Sequence, residues 1–465
     1  MATKEEKKGG IWNWADRIQG DRVIWIIVLM LIMFSIVAIF SSTTQLAAQN
    51  GSTRLIIFKE QMRTVIIGLA IILICYFIPF IGLFRRLSSL GFLFSAGSLF
   101  MLLMRIKIGS FIRAVEINGA VRAISVFGLQ FNVYEFVKVF MILYLSWAVN
   151  SYREGKTMLT DKLAKAFRSL SFLASPVSKR IIYIYLPFLI VLVCIMAGSF
   201  SSAMFIGAIM FLTIAIGGIP GKDILFTFTV ALCAVAGSYG VYKVSGGKIF
   251  SRYETVESRF YNFTHPAEAK RETISIHGLK YYIDQERQPE GAKLAIKEGG
   301  VFGKLPGRST RKYTVPLIFS DYMFSFIVEE YGLVGAFILI VLYVSLLARG
   351  AIIARNCDNL YAKMVVAGLV LLISGQAMMH MYINTGMWFL TGQTLPMISH
   401  GNSSFLAFSL AFGILLSISK MVKKKVERQA EMSAPLIEHE DEVRSTLDDL
   451  DRLESMNMDD FNGEE

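Results

Sequence analysis

The apolar residues of the chain are bunched into long runs separated by polar connections. A run of about 20 such residues can cross a bilayer as a helix that satisfies its own backbone hydrogen bonds. A single soluble core could not bury so many runs. The pattern therefore predicts an all-α polytopic membrane protein with about ten transmembrane helices. The predicted spans are 23–42, 62–82, 88–106, 131–149, 181–198, 201–219, 223–243, 320–347, 362–384 and 403–421.

Two polar stretches divide the chain further. Residues 244–319 are long, polar and mildly basic, and they predict a large extracytoplasmic loop between helices 7 and 8. Residues 423–465 become acidic and poor in aromatics, which indicates a disordered or partner-bound tail, with a solvated tail that has no role as an equal alternative. The predicted organisation is a cytoplasmic segment at 1–22, a ten-helix membrane domain at 23–422 and this acidic cytoplasmic tail.

Composition and charge agree with a membrane location and argue against nucleic acid as a partner. Hydrophobic residues make up 54% of the 465 residues, charged residues make up 18%, and the net charge is +11. The basic residues cluster between the apolar runs, as charges that orient helices do. With an even number of spans, most fall on one side, which predicts a bacterial inner-membrane protein with both termini in the cytoplasm. The basic residues that oppose this bias are Arg105, Lys107, Arg113 and Arg122.

Charged side chains within the predicted spans are the first candidates for chemistry, because a charge inside a bilayer is costly. Glu135 and Lys138 stand three apart on one helix and can pair on one face. Asp321 stands at the outer mouth of the eighth span, and Glu329–Glu330 follow about 12–14 Å deeper. A structural role, as an ion pair or as a polar contact between helices, is an equal alternative for each of these. For His380 in the ninth span, a packed, hydrogen-bonded role is favoured.

The segment before the eighth span combines glycines with basic residues. Backbone N–H groups exposed by glycine, together with basic side chains, could hold a phosphate group, although the order of a Walker A loop is absent. Beside a carboxylate at a helix mouth, this suggests phosphate-bearing lipid chemistry at the membrane surface. The signal is weak, because flexible basic loops are common. The residues are Gly299, Gly300, Gly303, Lys304, Gly307, Arg308, Arg311 and Lys312.

Four separated motifs, in family order, resemble the SEDS family of bacterial cell-wall proteins, which includes FtsW, RodA and SpoVE. The resemblance covers nearly all of residues 20–422, and the opening of the chain is most similar to FtsW proteins of the Bacteroidetes type. The motifs are NGAVRAISVFGLQFNVYEFVK at 118–138, GGVFGKLPG at 299–307, FSDYMFSFIVEEYG at 319–332 and TGQTLPMISHGNSSF at 391–405.

The resemblance implies a peptidoglycan glycosyltransferase that polymerises lipid II during septal wall synthesis, with a class B penicillin-binding protein and other divisome proteins as partners. Asp321 matches the essential aspartate of the family, which would deprotonate the attacking 4-hydroxyl or hold a divalent cation, Mg²⁺ or Mn²⁺, beside it. Further residues carried over to the substrate cavity are Glu135, Lys138, Arg122, Lys304, Pro306, Gly307, Ser399, Gly401, Ser403 and Ser404.

The sequence departs from the family pattern at several turns around these residues. The departures leave Asp321, Glu135 and Lys138 in place but put the local loop geometry in doubt. They fall at Val121, Ala123, Asn132, Val133, Tyr134, Leu317 and Asn402.

Three alternatives to a septal polymerase stay open. Polytopic helices with intramembrane charges suit a lipid II flippase equally well on physical grounds. A non-catalytic divisome scaffold is a second alternative, which the retained Asp321 argues against. The third is a RodA-type elongation polymerase, which differs mainly in its partner.

Overall fold

The structure, a computed structural model, describes residues 20–49, 51–108, 112–117, 120–126, 129–166, 168–265, 272–276, 279–283 and 287–429. It divides into a main unit, Val23–Ile418, and a small unit formed by the two ends of the chain. Within the small unit, the backbone N–H of Asp21 donates to the Ser419 hydroxyl. The predicted acidic tail, from residue 430 onward, lies outside the described residues.

Helices make up most of the chain, and we number them in chain order. A π-helical turn, Ile181–Tyr185, joins α8 to α9, and short 3₁₀ turns occur at Arg168–Ala174 and Arg311–Tyr313. The helices are α1 Arg22–Ser42, α2 Thr44–Gln49, α3 Arg54–Phe77, α4 Phe80–Ser88, α5 Gly91–Leu103, α6 Val133–Arg153, α7 Met158–Ala166, α8 Pro176–Arg180, α9 Leu186–Gly198, α10 Phe200–Ile216, α11 Gly221–Val244, α12 Arg252–Thr264, α13 Arg287–Gly299, α14 Met323–Arg355, α15 Leu360–Asn384 and α16 Asn402–Gln429.

The helices confirm a polytopic membrane fold. In the described part of the chain, eight helices, with α8 and α9 counted as one, are long and apolar enough to cross a membrane. A ninth is obtained if Gly82–Ser88 and α5, which meet at a 44° bend, form one span, and α10 is a shorter apolar helix. The figure of ten spans stays a prediction. The apolar faces agree with a lipid environment, since α11 exposes Leu225, Phe226 and Leu232.

Two predicted spans differ in position from the observed helices. The second was placed at 62–82, but α3 begins eight residues earlier, after Thr53, and ends before Pro79. Proline cannot continue a helix, since it lacks the N–H and restricts the residue before it. The third, placed at 88–106, contains only the 13-residue α5, which Gly82–Ser88 precedes at a 44° bend.

A small antiparallel sheet between α5 and α6 adds to the predicted all-α architecture. The strands β1 Lys107–Ile108, β2 Ile112–Ile117, β3 Ala120–Val126 and β4 Leu129–Asn132 pair in sequence order. A separate two-stranded sheet, β5 Glu272–Ile276 with β6 Leu279–Ile283, lies in the long loop. The last strand of the first sheet leads directly into α6. The side chain of Asn132 caps this helix by accepting the backbone N–H of Tyr134 at 3.2 Å. The sheet thereby fixes the start of the helix that carries Glu135 and Lys138.

Helix α14 is broken at Gly332. This residue has φ 67° and ψ −167°, a conformation that is essentially restricted to glycine. The predicted span at 320–347 is therefore not continuous, and Glu329 and Glu330 lie before the break. They end a short first segment, which begins at Met323.

The glycine-rich segment 299–305 (GGVFGKL) lies at the break and replaces the missing helical hydrogen bonds. The backbone N–H groups of Lys304 and Leu305 donate to the carbonyls of Glu329 and Glu330 at 2.8 and 3.0 Å. In return, the N–H of Leu333 donates to the carbonyl of Gly300 at 2.9 Å. A Cβ added at Gly303 or Gly332 would overlap the opposing backbone, so both glycines are required by the close approach of the two chains.

We expect Gly332→Ala to lower the free energy of unfolding by at least about 3 kcal/mol, because alanine meets both an unfavourable backbone conformation and a backbone clash. Gly97→Ala is the matched control, since a Cβ there meets nothing within 4 Å inside α5. Alanine in a helix interior should stabilise by about 0.5–1 kcal/mol. Thermal unfolding in detergent measures both variants, and equal midpoints would contradict the proposed role of Gly332.

Candidate functional site

Asp321 lies in the turn that leads into α14. The carbonyl of Leu317, which has a positive φ of 55°, accepts the N–H groups of Ser320 and Asp321 at 3.0 and 2.9 Å. The Asn384 amide at the end of α15 donates to the Asp321 carbonyl at 3.1 Å. The Ser399 hydroxyl donates to the carbonyl of Ser320 at 2.7 Å. The turn is therefore held from two sides by elements far away in sequence.

The Asp321 side chain is partly exposed to solvent. The Ser320 hydroxyl donates to one of its oxygens at 3.0 Å, and Gly392 lies opposite the other without a side chain to block it. Burial raises the pKa of Asp321 above the ordinary aspartate value, opposed by the Ser320 hydrogen bond and the charges of Arg259 and Arg122. The group combines solvent access with increased basicity, as a general base requires.

Arginine side chains surround this carboxylate. Arg122 on β3 and Arg259 on α12 both interact electrostatically with Asp321, and Arg252 on α12 lies close to both arginines. Burial, followed by the Arg252 charge, lowers the pKa of Arg122 below its usual value. Two cations, Arg122 and Arg259, acting on one carboxylate leave an excess positive charge, which is suited to a phosphate-bearing ligand.

The arginines come from the large loop and from the sheet. The guanidinium of Arg259 donates to the Leu390 carbonyl at 2.9 Å, and Phe260 packs edge-on against Phe389 with ring centroids 6.5 Å apart. Part of the long loop therefore packs on residues 389–390, and its Arg259 acts on the charge of Asp321. The sequence analysis missed Arg252 and Arg259, although their spacing of seven residues places them on one helix face and could have revealed them.

Glu135 and Lys138 form the predicted ion pair, with 2.8 Å between the ammonium and the carboxylate. Both side chains are buried. The Lys138 ammonium also donates to Gln376 at 2.7 Å, and the Gln376 amide donates to the Thr394 carbonyl at 2.9 Å. The Thr394 hydroxyl bonds Ser404 at 2.7 Å. Glu135, Lys138 and Ser404 therefore belong to one buried network that ties α6 to α15 and α16.

Other predicted residues in the serine-rich turn and in α15 act as connections. Ser403 accepts the backbone N–H of Asn132 at 2.9 Å and so joins the start of α16 to β4. His380 is buried, with its Nδ1 2.8 Å from the carbonyl of Gln393. It also accepts the backbone N–H of Phe324 at 3.3 Å. The packed alternative for His380 is confirmed.

Lys304 and Gly307 contact carboxylates of the chain itself, and their place in the substrate cavity stays a prediction. The Lys304 ammonium is 2.9 Å from the Glu329 carboxylate, and the backbone N–H of Gly307 donates to Glu330 at 3.0 Å. The donors that the sequence offered to a phosphate are thus used by two carboxylates of the chain itself. These carboxylates stand near the end of the first segment of α14, which begins two residues after Asp321.

The donor set around Asp321 does not make a metal site by itself. Within the described residues, no group of three or more His, Cys, Asp or Glu side chains converges at any point. Asp321 is a single carboxylate, and Arg122 and Arg259 beside it oppose a cation electrostatically. We therefore derive no step through the predicted Mg²⁺ or Mn²⁺, which stays a prediction.

Comparison with known proteins gives a consistent result along the chain. The model of the FtsW/RodA/SpoVE family, described as cell cycle protein, matches residues 21–424. A probable peptidoglycan glycosyltransferase FtsW of Enterococcus hirae is 27% identical over 409 residues, which cover 86% of this chain and 91% of that protein. Another, from Caulobacter vibrioides, is 30% identical over 205 residues, which cover 44% of this chain and 47% of that protein.

A solved structure shares the fold. It is described as structural coordination of polymerization and crosslinking by a peptidoglycan synthase complex. The TM-score is 0.56 at 19% sequence identity, over 87% of this chain and 98% of that one.

The buried network gives a prediction about stability. Lys138→Met should lower the free energy of unfolding by about 3–5 kcal/mol, because it leaves the Glu135 carboxylate buried without its partner. The double variant Glu135→Gln with Lys138→Met should recover part of that loss. The exposed pair of Lys423 and Glu427, 3.7 Å apart, supplies the control, and Lys423→Met should cost less than about 1 kcal/mol. Thermal unfolding measures all three variants. Equal destabilisation of Lys138→Met and the double variant would contradict the network.

Proposed function

Because this chain belongs to the FtsW/RodA/SpoVE family of cell cycle proteins, we propose that it is a peptidoglycan glycosyltransferase that polymerises lipid II into glycan strands. The observation that carries the proposal is a partly exposed carboxylate, Asp321, under the electrostatic influence of two arginines, Arg122 and Arg259. A sugar-diphosphate donor needs a base near the attacking hydroxyl and positive charge near the leaving group.

The reaction follows from this arrangement. Asp321 takes the proton of the 4-hydroxyl of one lipid-linked sugar, and the oxygen forms a bond to the anomeric carbon of the other. The bond between that carbon and the diphosphate oxygen breaks, and undecaprenyl diphosphate leaves with the electron pair. The proton stays on Asp321 until it passes to solvent, to which this side chain is partly exposed.

The arginines bind the charge that develops on the leaving diphosphate. Arg259 is fixed by the Leu390 carbonyl, so its remaining N–H groups are oriented before substrate arrives. The Nε of Arg122 is buried and has no hydrogen-bond partner within the described residues. A buried donor without a partner is costly, and a phosphate oxygen would satisfy it.

The partner and the cellular role extend the proposal. The relative of similar fold is described as coordinating polymerization with crosslinking, which supports a class B penicillin-binding protein as the partner of this chain. We place the chain in the inner membrane with both termini in the cytoplasm, acting with divisome proteins at the septum. Depletion should then give filaments, whereas rounding would indicate the RodA-type elongation role. The Bacteroidetes-type assignment stays a prediction.

The first experiment is polymerisation of purified lipid II by the full chain co-purified with its penicillin-binding partner. Asp321→Asn should reduce strand formation by about 10²–10⁴-fold, since a positioned general base contributes that much. Asp358→Asn, in the turn between α14 and α15, is the matched carboxylate control and should retain activity.

The outcomes separate the candidate functions. If no variant makes strands while all are folded and partner-bound, the flippase or scaffold alternative replaces the polymerase. Equal activity of Asp321→Asn and wild type would keep the enzyme but remove Asp321 from its mechanism.

A second prediction concerns pH. The positive charge of Arg259 lowers the pKa of Asp321, so Arg259→Gln should raise that pKa further. Because the base acts only when ionised, the acidic limb of the pH–rate profile should move to higher pH. Arg259→Lys keeps the charge and should shift the limb less. A lower rate with an unchanged acidic limb would show that Arg259 acts without influencing Asp321.

A further inference from the structure

A pocket of about 590 Å³ lies at the opposite end of α6 from the Asp321 site. With 21 residues, α6 separates the two ends by about 30 Å. The pocket opens where the bent pair α4–α5 meets the end of α6. Its lining residues, which define what we call the basic pocket, are Gly82, Arg85, Arg86, Ser89, Trp147 and Lys156.

The basic pocket has an excess of positive charge. One carboxylate, Glu154, pairs with Arg85 at 2.6 Å and with Lys156 at 2.9 Å, and Asn150 donates to its other oxygen at 2.9 Å. Hydrogen bonds from Lys156, Asn150 and Arg85, opposed by desolvation, lower the pKa of Glu154 to about 2. Arg86 is exposed, and within the described residues its side chain has no partner. Three cations against one carboxylate leave two positive charges.

The surroundings place the basic pocket at the depth of lipid headgroups. Helix α4 is short and amphipathic, with exposed Leu83 and Leu87 beside its two arginines, as helices in the membrane interface are. Trp147 packs on Tyr144 and Tyr183, with ring centroids 5.8 and 6.2 Å apart, and stays partly exposed. Tryptophan is enriched at this level of the membrane.

We propose that the basic pocket binds the phosphate of an anionic phospholipid headgroup. Arginine forms paired hydrogen bonds with phosphate oxygens, and the phosphate competes with Glu154 for Arg85 and Lys156. The apolar face of α4 is suited to the acyl chains, which a free phosphate would not use. The proposed orientation of the chain places the site in the cytoplasmic leaflet, where basic pockets between transmembrane helices recognise anionic headgroups.

The test is native mass spectrometry of the full chain in neutral detergent, titrated with phosphatidylglycerol or phosphatidylcholine. Phosphatidylglycerol should bind selectively. The double variant Arg86→Gln with Lys156→Gln should weaken binding about thirtyfold, at about fivefold per cation. The matched control, Lys162→Gln with Lys222→Gln, removes two exposed cations that lie outside the pocket on the same predicted side, and should leave binding unchanged.

A third variant has the opposite expected sign. Glu154→Gln removes the competing carboxylate and should strengthen binding of phosphatidylglycerol, a gain that a misfolded variant could not produce. Weaker binding by Glu154→Gln, or equal weakening by the control pair, would overturn the proposal. If inorganic phosphate displaced bound phosphatidylglycerol as effectively as added phosphatidylglycerol does, the pocket would be a site for free phosphate instead. Lipid II polymerisation is not the readout, so the result is independent of the proposed activity.

Discussion

The structure depends on the exchange of backbone hydrogen bonds at the break of α14. A helix interrupted within a largely apolar protein leaves N–H and carbonyl groups that must find partners. The segment 299–305 supplies donors and acceptors for these groups, so the long loop and α14 become one interlocked unit. The first segment of α14 is thereby fixed at its end, while Asn384 and Ser399 fix the turn before its start. Asp321 owes its position to both.

The same chemistry appears twice near this helix, and only one instance is open to a ligand. Basic side chains and glycine N–H groups around residues 304–310 meet Glu329 and Glu330, so these charges are neutralised internally. Around Asp321 the arginines outnumber the carboxylates, and one of them, Arg122, keeps an unsatisfied buried donor. Excess charge and unsatisfied donors, rather than the presence of basic residues, distinguish a binding site from a structural ion cluster.

This distinction explains what the sequence could and could not predict. Long apolar runs fix most spans, and a spacing of three places Glu135 and Lys138 on one face, because both are local properties of a helix. Gly332 could not be recognised as a break, since glycine alone is tolerated in transmembrane helices. The buried carboxylate that Lys304 contacts, Glu329, lies 25 residues away. The proximity of Arg259 to Asp321 is created only by the packing of the long loop.

The buried network also bears on the choice between a polymerase and a flippase. Alternating access requires helix bundles to move against each other around a substrate site. Here the Lys138 ammonium contacts both Glu135 on its own helix and Gln376 on α15, in a buried environment. Separating α6 from α15 would break the hydrogen bond from Lys138 to Gln376, and leaving such a buried donor without its partner costs about 1–3 kcal/mol. A polymerase needs no such movement, because its substrates meet at one fixed carboxylate, which we propose to be Asp321. The buried hydrogen bond between α6 and α15 therefore favours catalysis at a fixed site.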